Sequence, residues 1–177
     1  LYAVGEVAHT GLHGADRLCA NALMECIVFA TKAADHMREN IKHFKIHSDI
    51  LELAENKSAD FIFNEYNNCC HNVQALMWEG VGIVRSNNGL MHAKKELIKI
   101  KDKVDKIYLL SDSCHQILEL RNMVLTALIM TQSAIFRKES RGVHYNEDYP
   151  SLNNSYNGVV SLLNSSFISF DESYSCV

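Results

Sequence analysis

The chain has 177 residues, 17 Lys+Arg against 21 Asp+Glu, a formal net charge of -4 and 47 % apolar residues. One proline and eight glycines exclude a collagenous or proline-rich chain. The apolar content at so small a charge excludes broad disorder, and a pI near 6.1 excludes an overtly basic nucleic-acid binder.

In chain order, residues 1–7 are short, apolar and β-compatible, and predict a strand ending near Glu6. A polar loop with Gly11 and Gly14 follows. Residues 18–36 are apolar on most sides, with Asn21 and Glu25 as exceptions, which predicts a buried helix. Residues 37–62 are more polar and predict a linker with a helix or partial helix near 48–56. Three amphipathic segments come next, at 64–84, 87–109 and 113–136. Their separators are short, so neighbouring helices run antiparallel and the three read as an up-down-up bundle. From Ser151 onward, 8 of 27 residues are Ser and 4 are Asn, which predicts an irregular tail. The expected organisation is 1–39, a linker at 40–63, a bundle at 64–150 and a tail at 151–177.

Cys19, Cys26, Cys69, Cys70, Cys114 and Cys176 include no CxxC pair and read as reduced structural thiols. The longest apolar stretch, 123–130, is interrupted by Thr126 and is far shorter than the ~20 residues a span needs. Neither a membrane span nor a targeting segment is visible, so a cytoplasmic location is the default expectation. The chain opens on Leu1 rather than Met, directly into an apolar segment, as a cut in a longer chain would.

The strongest local constellation is Gly5-Glu6-Val7 followed by His13-Gly14-Ala15-Asp16-Arg17. A carboxylate at a strand end accepts hydrogen bonds from ligand hydroxyls. Glycines let a backbone approach a ligand closely. Arginine offers a planar fork to a carboxylate, and the N-terminus of the following helix presents free N–H groups and a positive dipole end. The set suits an anionic ligand lying against a hydroxylated cofactor. An ordinary strand-turn-helix with a surface ion pair is the competing reading.

Residues 1–34, LYAVGEVAHTGLHGADRLCANALMECIVFATKAA, resemble the L-aspartate oxidases, a branch of the succinate dehydrogenase and fumarate reductase flavoprotein family. MWEGVGIVRS at 77–86 is similar to the first helix of that family's C-terminal bundle, and LELRN and RKESRGVHYNEDYP within 118–150 to its third helix and exit. The resemblance implies a mainly α fold: a strand-loop-helix piece of a flavin-binding α/β domain, then a three-helix bundle. It implies FAD as cofactor, with Glu6, Ala22 and Leu23 at the flavin. It implies L-aspartate or another dicarboxylate as substrate, held by Arg17 and His13. The implied reaction is oxidation of L-aspartate to iminoaspartate for quinolinate and NAD synthesis, with quinolinate synthase as a candidate partner.

Two departures stand out. Ala22 replaces the family's serine, which removes one flavin hydrogen bond of about 1 kcal/mol, and Asp16 replaces the usual asparagine beside Arg17. No GxGxxG occurs in the chain, so the FAD and capping domains, with the catalytic residues, are expected upstream. The chain by itself is expected to be inactive and to aggregate or seek a partner through its exposed apolar surface. A succinate dehydrogenase or fumarate reductase flavoprotein fragment, and a non-catalytic helical module that binds a partner, remain the alternatives.

Other residues read as structural. Glu139 and Arg141 are expected to be ion-pair partners within the block that also holds His144. His43 and His47 are half a zinc set with nothing nearby to complete it, so no metal site is expected. The six lysines and three acids of 94–106 read as a solvated helix face, and Trp78 as core.

Overall fold

The computed structural model describes residues 1–44, 60–110 and 115–159. The chain divides into two compact units, Leu1–Glu52 and Leu53–Val177.

The first unit is a 3-10 turn at Gly5–Ala8, a loop, helix α1 at Cys19–Asn40 and a closing 3-10 turn at Ile41–His43. The strand expected over residues 1–7 is absent. A strand is held by a neighbour's ladder, and no strand occurs among the described residues of this unit. Gly5 stands at φ 76°, a left-handed conformation that starts a turn instead. His9, at φ 43°, ends that turn, its N–H donating to the Glu6 carbonyl at 3.2 Å. A side chain at Gly5 would also meet Cys26 Sγ at 3.0 Å, so the turn lies tight against α1.

Helix α1 forms where expected but is not buried here. Glu25 alone among its residues is buried, while Leu23, Met24, Ile27 and Val28 are exposed. A helix apolar on most sides needs cover on most sides, and the described residues of this unit offer it a loop and two short 3-10 turns. The helix expected near 48–56 lies outside the described residues.

The second unit is the bundle. Helix α2 spans Asp60–Val81, α3 Asn87–Leu110 and α4 His115–Phe136. Lys103 near the end of α3 pairs with Glu65 near the start of α2, and Arg121 near the start of α4 with Asp105 of α3. Thr131 late in α4 meets Met77 late in α2. These contacts make α2 and α4 parallel and α3 antiparallel to both, the expected up-down-up order.

The core follows helical spacing. Leu90, Ala93, Leu97 and Val104 of α3 face Ile117, Leu120, Val124, Ala127 and Leu128 of α4, with Cys69, Val73 and Val81 from α2. Buried Thr131 satisfies its hydroxyl by donating to the Ala127 carbonyl at 2.7 Å. At the α2–α3 crossing a side chain on Gly80 would stand 2.9 Å from the Gly89 carbonyl oxygen, so a glycine sets how closely these helices approach.

Helix α2 stops at Val81 rather than 84. Val84–Arg85 instead forms strand β1, paired in parallel with strand β2 at Tyr145–Asn146, in the register Val84 to Tyr145 and Arg85 to Asn146. The strap after α4 thus returns across the α2–α3 junction. There Asp148 accepts from the Asn87 N–H at 2.6 Å, and Ser86 Oγ accepts from the Gly89 N–H at 3.1 Å, so two acceptors cap the start of α3. Trp78 is 76 % exposed and is not core, which corrects the sequence expectation: it lies off the stripe that Val73, Met77 and Val81 turn inward. In the tail, residues 151–159 are pinned to the end of α4, Tyr156 donating to the Phe136 carbonyl at 3.2 Å. Residues 160–177 lie outside the described residues.

Candidate functional site

The first unit carries a hollow of about 310 Å³ lined by Glu6, His9, Thr10, Gly11, His13, Gly14, Arg17 and Glu25. Its wall is the loop between the first 3-10 turn and α1. Gly11 at φ 80° and Gly14 at φ 58° allow the loop's two tight bends, the N–H of Gly14 donating to the Gly11 carbonyl at 3.2 Å.

The structure brings the expected residues Glu6, His13 and Arg17 together. Arg17 makes an ion pair with Glu6, so the expected cofactor acid and the expected substrate cation are neutralised by one another. Both side chains are substantially solvent-exposed, at 43 % and 65 %, which makes the pair exchangeable rather than structural. The partner of Arg17 is Glu6 and not its sequence neighbour Asp16. Ala22 and Leu23 lie in the first two turns of α1, away from the ion pair in sequence, and Leu23 is exposed. The N-cap of α1 is Leu18, whose side chain makes no capping bond, and no acid stands in the first turn. The start of α1 therefore keeps uncompensated N–H donors and its positive dipole end.

Sequence reasoning missed the hollow's floor. Glu25 is 4 % exposed and accepts hydrogen bonds from Thr10 Oγ1 and from His13 Nε2, the latter at 2.8 Å. The Thr10 hydroxyl, then the His13 ring, hold its carboxyl below the ordinary carboxylate range. The signal in the sequence was one acid within the largely apolar first half of the helix, residues 19–31, visible as an oddity but without a partner until the loop folded back.

A second polar cluster sits in the bundle strap. Glu139 is fully buried and accepts from Arg137 at 2.6 Å, from Arg141 Nε and Nη2 at 3.0 Å each, and from the Asn153 N–H at 3.0 Å. The Arg141 hydrogen bonds foremost, with those from the Asn153 backbone and Arg137, pull its carboxyl from 4.5 to about 2. Arg85 donates to His144 Nδ1 at 2.7 Å, and His144 Nε2 meets the Arg137 carbonyl at 2.9 Å, which fixes His144 as a neutral ring with its proton on Nε2. Burial likewise pushes the His144 pKa down. Glu139 and Arg141 are thus ion-pair partners, as expected, and the cluster ties the strap down.

Cys69 is buried and burial pushes its thiol pKa up, whereas Cys19 is exposed. Cys114, Cys176 and His47 lie outside the described residues. Of the lysines of 94–106, Lys95, Lys99, Lys103 and Lys106 are exposed, the solvated face expected. Among the described residues, no helix is long and apolar enough to cross a membrane.

The helical unit with its short strap follows, in sequence, a glycine loop and a helix without a side-chain cap. Residues 70–169 match the family described as fumarate reductase flavoprotein C-term, and the chain belongs to that family. It is 36 % identical over 153 residues to an L-aspartate oxidase of Yersinia pestis, covering 85 % of this chain and 28 % of that protein. It is 38 % identical over 153 residues to L-aspartate oxidase 1 of Ralstonia nicotianae, with the same shares covered. The chain thus spans under a third of the length of these relatives. Its fold is similar to that of E. coli quinol fumarate reductase FrdA, with a TM-score of 0.66 at 23 % identity, over 87 % of this chain and 29 % of that one.

Proposed function

We propose that this chain is the C-terminal part of an L-aspartate oxidase, and that the whole protein oxidises L-aspartate to iminoaspartate with FAD. The observation that carries the reading is the hollow in which Arg17 and His13 stand beside Glu6 at the start of α1. The relatives' names support the choice of L-aspartate over other dicarboxylates.

The residues suit the cofactor. Glu6 is exposed and offers an acceptor to a ligand hydroxyl, and the start of α1 has no side-chain cap to compete with a ligand for its N–H groups. Ala22 lacks the hydroxyl of the family's serine, so only its backbone would serve. FAD, when bound, supplies the two-electron acceptor for the substrate's Cα–H bond. The chain's own work is binding and orientation. A substrate carboxylate takes Glu6's place on Arg17, which releases Glu6 to a cofactor hydroxyl, so the ion pair acts as a placeholder for both ligands. Asp16 beside Arg17 adds a negative charge that weakens dicarboxylate binding. The remaining catalytic residues belong to the part of the protein outside this chain, and the chain alone is inactive. The same reading carries a cytoplasmic location and, as consumer of iminoaspartate, quinolinate synthase as partner.

The test is anaerobic flavin reduction by L-aspartate in the full-length protein, with succinate as the contrast. Reduction by L-aspartate is expected, and Arg17→Leu lowers its kcat/KM by about 100-fold, the loss of a bidentate charge-assisted contact of ~3 kcal/mol. Reduction by succinate but not L-aspartate overturns the reading.

A further inference from the structure

We propose that the Arg85–His144 contact is a proton-operated latch: a proton taken up by His144 Nδ1 expels Arg85 and frees the strap from the junction of α2 and α3. The proposal is independent of the substrate reading above, because it rests on the bundle's own residues.

The geometry comes first. His144 is 9 % exposed and both of its ring nitrogens are committed. Nδ1 lies 2.7 Å from Arg85 Nη1, and Nε2 lies 2.9 Å from the Arg137 carbonyl. A guanidinium can only donate and a carbonyl can only accept, so this arrangement needs the neutral ring with its proton on Nε2. The imidazolium carries a proton on each nitrogen. Its Nδ1–H would face an Arg85 N–H across 2.7 Å, two donors and two positive charges in contact. A ring flip gives no relief, since it presents the other N–H. Arg85 is itself tethered: its Nε donates to the Val81 carbonyl at 3.1 Å and to the Gly82 carbonyl at 3.0 Å, which ties the guanidinium to the end of α2. The proton is therefore accommodated by separating β2 from β1.

The charges around the ring come from each element packed against it. Arg85 on β1 and Arg137 just past α4 oppose a proton, and Glu139 in the strap favours one. Arg141 meets His144 through backbone hydrogen bonds and turns its guanidinium to Glu139. Burial, joined by the two opposing cations, outweighs Glu139 and the Arg137 carbonyl, so the closed ring takes its proton below the ordinary histidine range.

What the latch holds is local. Beside it Val84 pairs with Tyr145 and Arg85 with Asn146, Glu147 donates to the Arg85 carbonyl at 2.9 Å, and Asp148 accepts from the Asn87 N–H. Ser140 Oγ accepts from the Asn146 N–H at 3.0 Å and donates to the Tyr149 carbonyl at 2.8 Å, which knits the strap to itself. Glu139 anchors its base by accepting from Arg141 and from the Asn153 N–H. The strap can thus lift as one piece about that anchor while the bundle stays folded.

The lifted strap exposes a ring that titrates normally, so it binds more protons than the closed one. Closure is complete above the ordinary histidine value of 6.5 and is lost as pH falls below it. The experiment measures amide exchange in the full-length protein, corrected for the pH dependence of free-amide exchange. Protection at Glu147 and Asn87 is expected to fall about 10-fold per pH unit between about pH 6.5 and about 5, until the closed ring itself titrates. Asn153 keeps its protection there, because the Glu139 carboxyl, at about 2, stays ionised. Leu97 and Leu120 keep theirs as well. His144→Gln offers an amide oxygen to Arg85 and an N–H to the Arg137 carbonyl without titrating, and the fall is expected to vanish. Arg85→Met removes an opposing charge, and the His144 titration, read by exchange of its imidazole C2–H, is expected to move up toward 6.5.

Protection at Glu147 that is flat with pH in the parent overturns the proposal, as does a fall that survives in His144→Gln. Loss at Leu97 and Leu120 in step with Glu147 overturns it too, since the bundle and not the strap would then be opening. If His144→Gln does not fold, Arg85→Met decides: a His144 titration that it leaves unmoved overturns the latch.

Discussion

The two units meet opposite fates with similar raw material. Both contain a helix of 22 residues rich in apolar side chains, α1 and α4. In α4, Ile117, Leu120, Val124, Ala127, Leu128, Thr131 and Ala134 are buried; in α1, Glu25 alone is. The difference lies partly in composition, since α1 carries five Asp, Glu, Lys and Arg residues against two in α4, and partly in what lies alongside. Helix α4 has α2 and α3 against it, whereas among the described residues α1 has a loop and two short 3-10 turns. The polar groups show a shared pattern. Each unit uses one buried acid to hold its own loop, Glu139 the strap and Glu25 the glycine loop, and the first unit adds the exposed Arg17–Glu6 pair beside a hollow.

The contrast is broken most directly at the core. Leu120→Ala is expected to destabilise the bundle by about 2–5 kcal/mol through lost burial and a residual cavity. Leu23→Ala, 67 % exposed on α1, is expected to shift stability by under about 0.5 kcal/mol. Urea unfolding followed by helical circular dichroism separates the two, and equal effects would mean that α1 is as well packed as α4.

The next effect is steric. In Gly80→Ala the new methyl meets the Gly89 carbonyl oxygen at 2.9 Å and Ala93 Cβ at 3.0 Å, and neither is the flexible end of a side chain. Forcing α2 and α3 apart is expected to cost about 1–3 kcal/mol in the same unfolding experiment. An unchanged midpoint would show that the helix crossing has slack.

The smallest effect is local and depends on pH. The Glu139 carboxyl is pulled from 4.5 to about 2 in the folded protein. A depressed folded pKa contributes stability that is present above the unfolded value and lost as pH falls through the folded one. Strap order is therefore expected to decline between pH 4.5 and about 2, read by amide exchange at Asn153 and Asn146. Glu139→Gln should expose these amides already at neutral pH while the bundle helices stay protected. Strap amides that stay protected in both cases would remove Glu139 as the clamp.

The sequence made the three bundle helices legible because their apolar residues recur at helical spacing over more than five turns. Leu90, Leu97 and Val104 are one such row. The end of α2 was less legible, since Val84 extends the period although Gly82 follows the helix. The strand at residues 1–7 was misread because apolar β-compatible residues satisfy the pattern without a partner, and Gly5 at φ 76° turns the chain first. In the candidate site, the glycine loop with Glu6, His13 and Arg17 stood out as a motif. Its pairings did not.

What the sequence by itself determined is what depends on near neighbours along the chain: helix periods, the loop's glycines, the capping Ser86 beside Gly89, and the oddity of an acid inside α1. Only the tertiary structure decided the rest. It paired Val84 with Tyr145, brought Asp148 to the start of α3 from 61 residues away, closed Arg17 onto Glu6 and laid His13 on Glu25. Hydrogen bonds and ion pairs act over a few ångströms in space with no regard for distance along the chain. A residue's chemistry is therefore legible in the sequence, but the partner that sets its proton and charge is known only once the chain has folded back on itself.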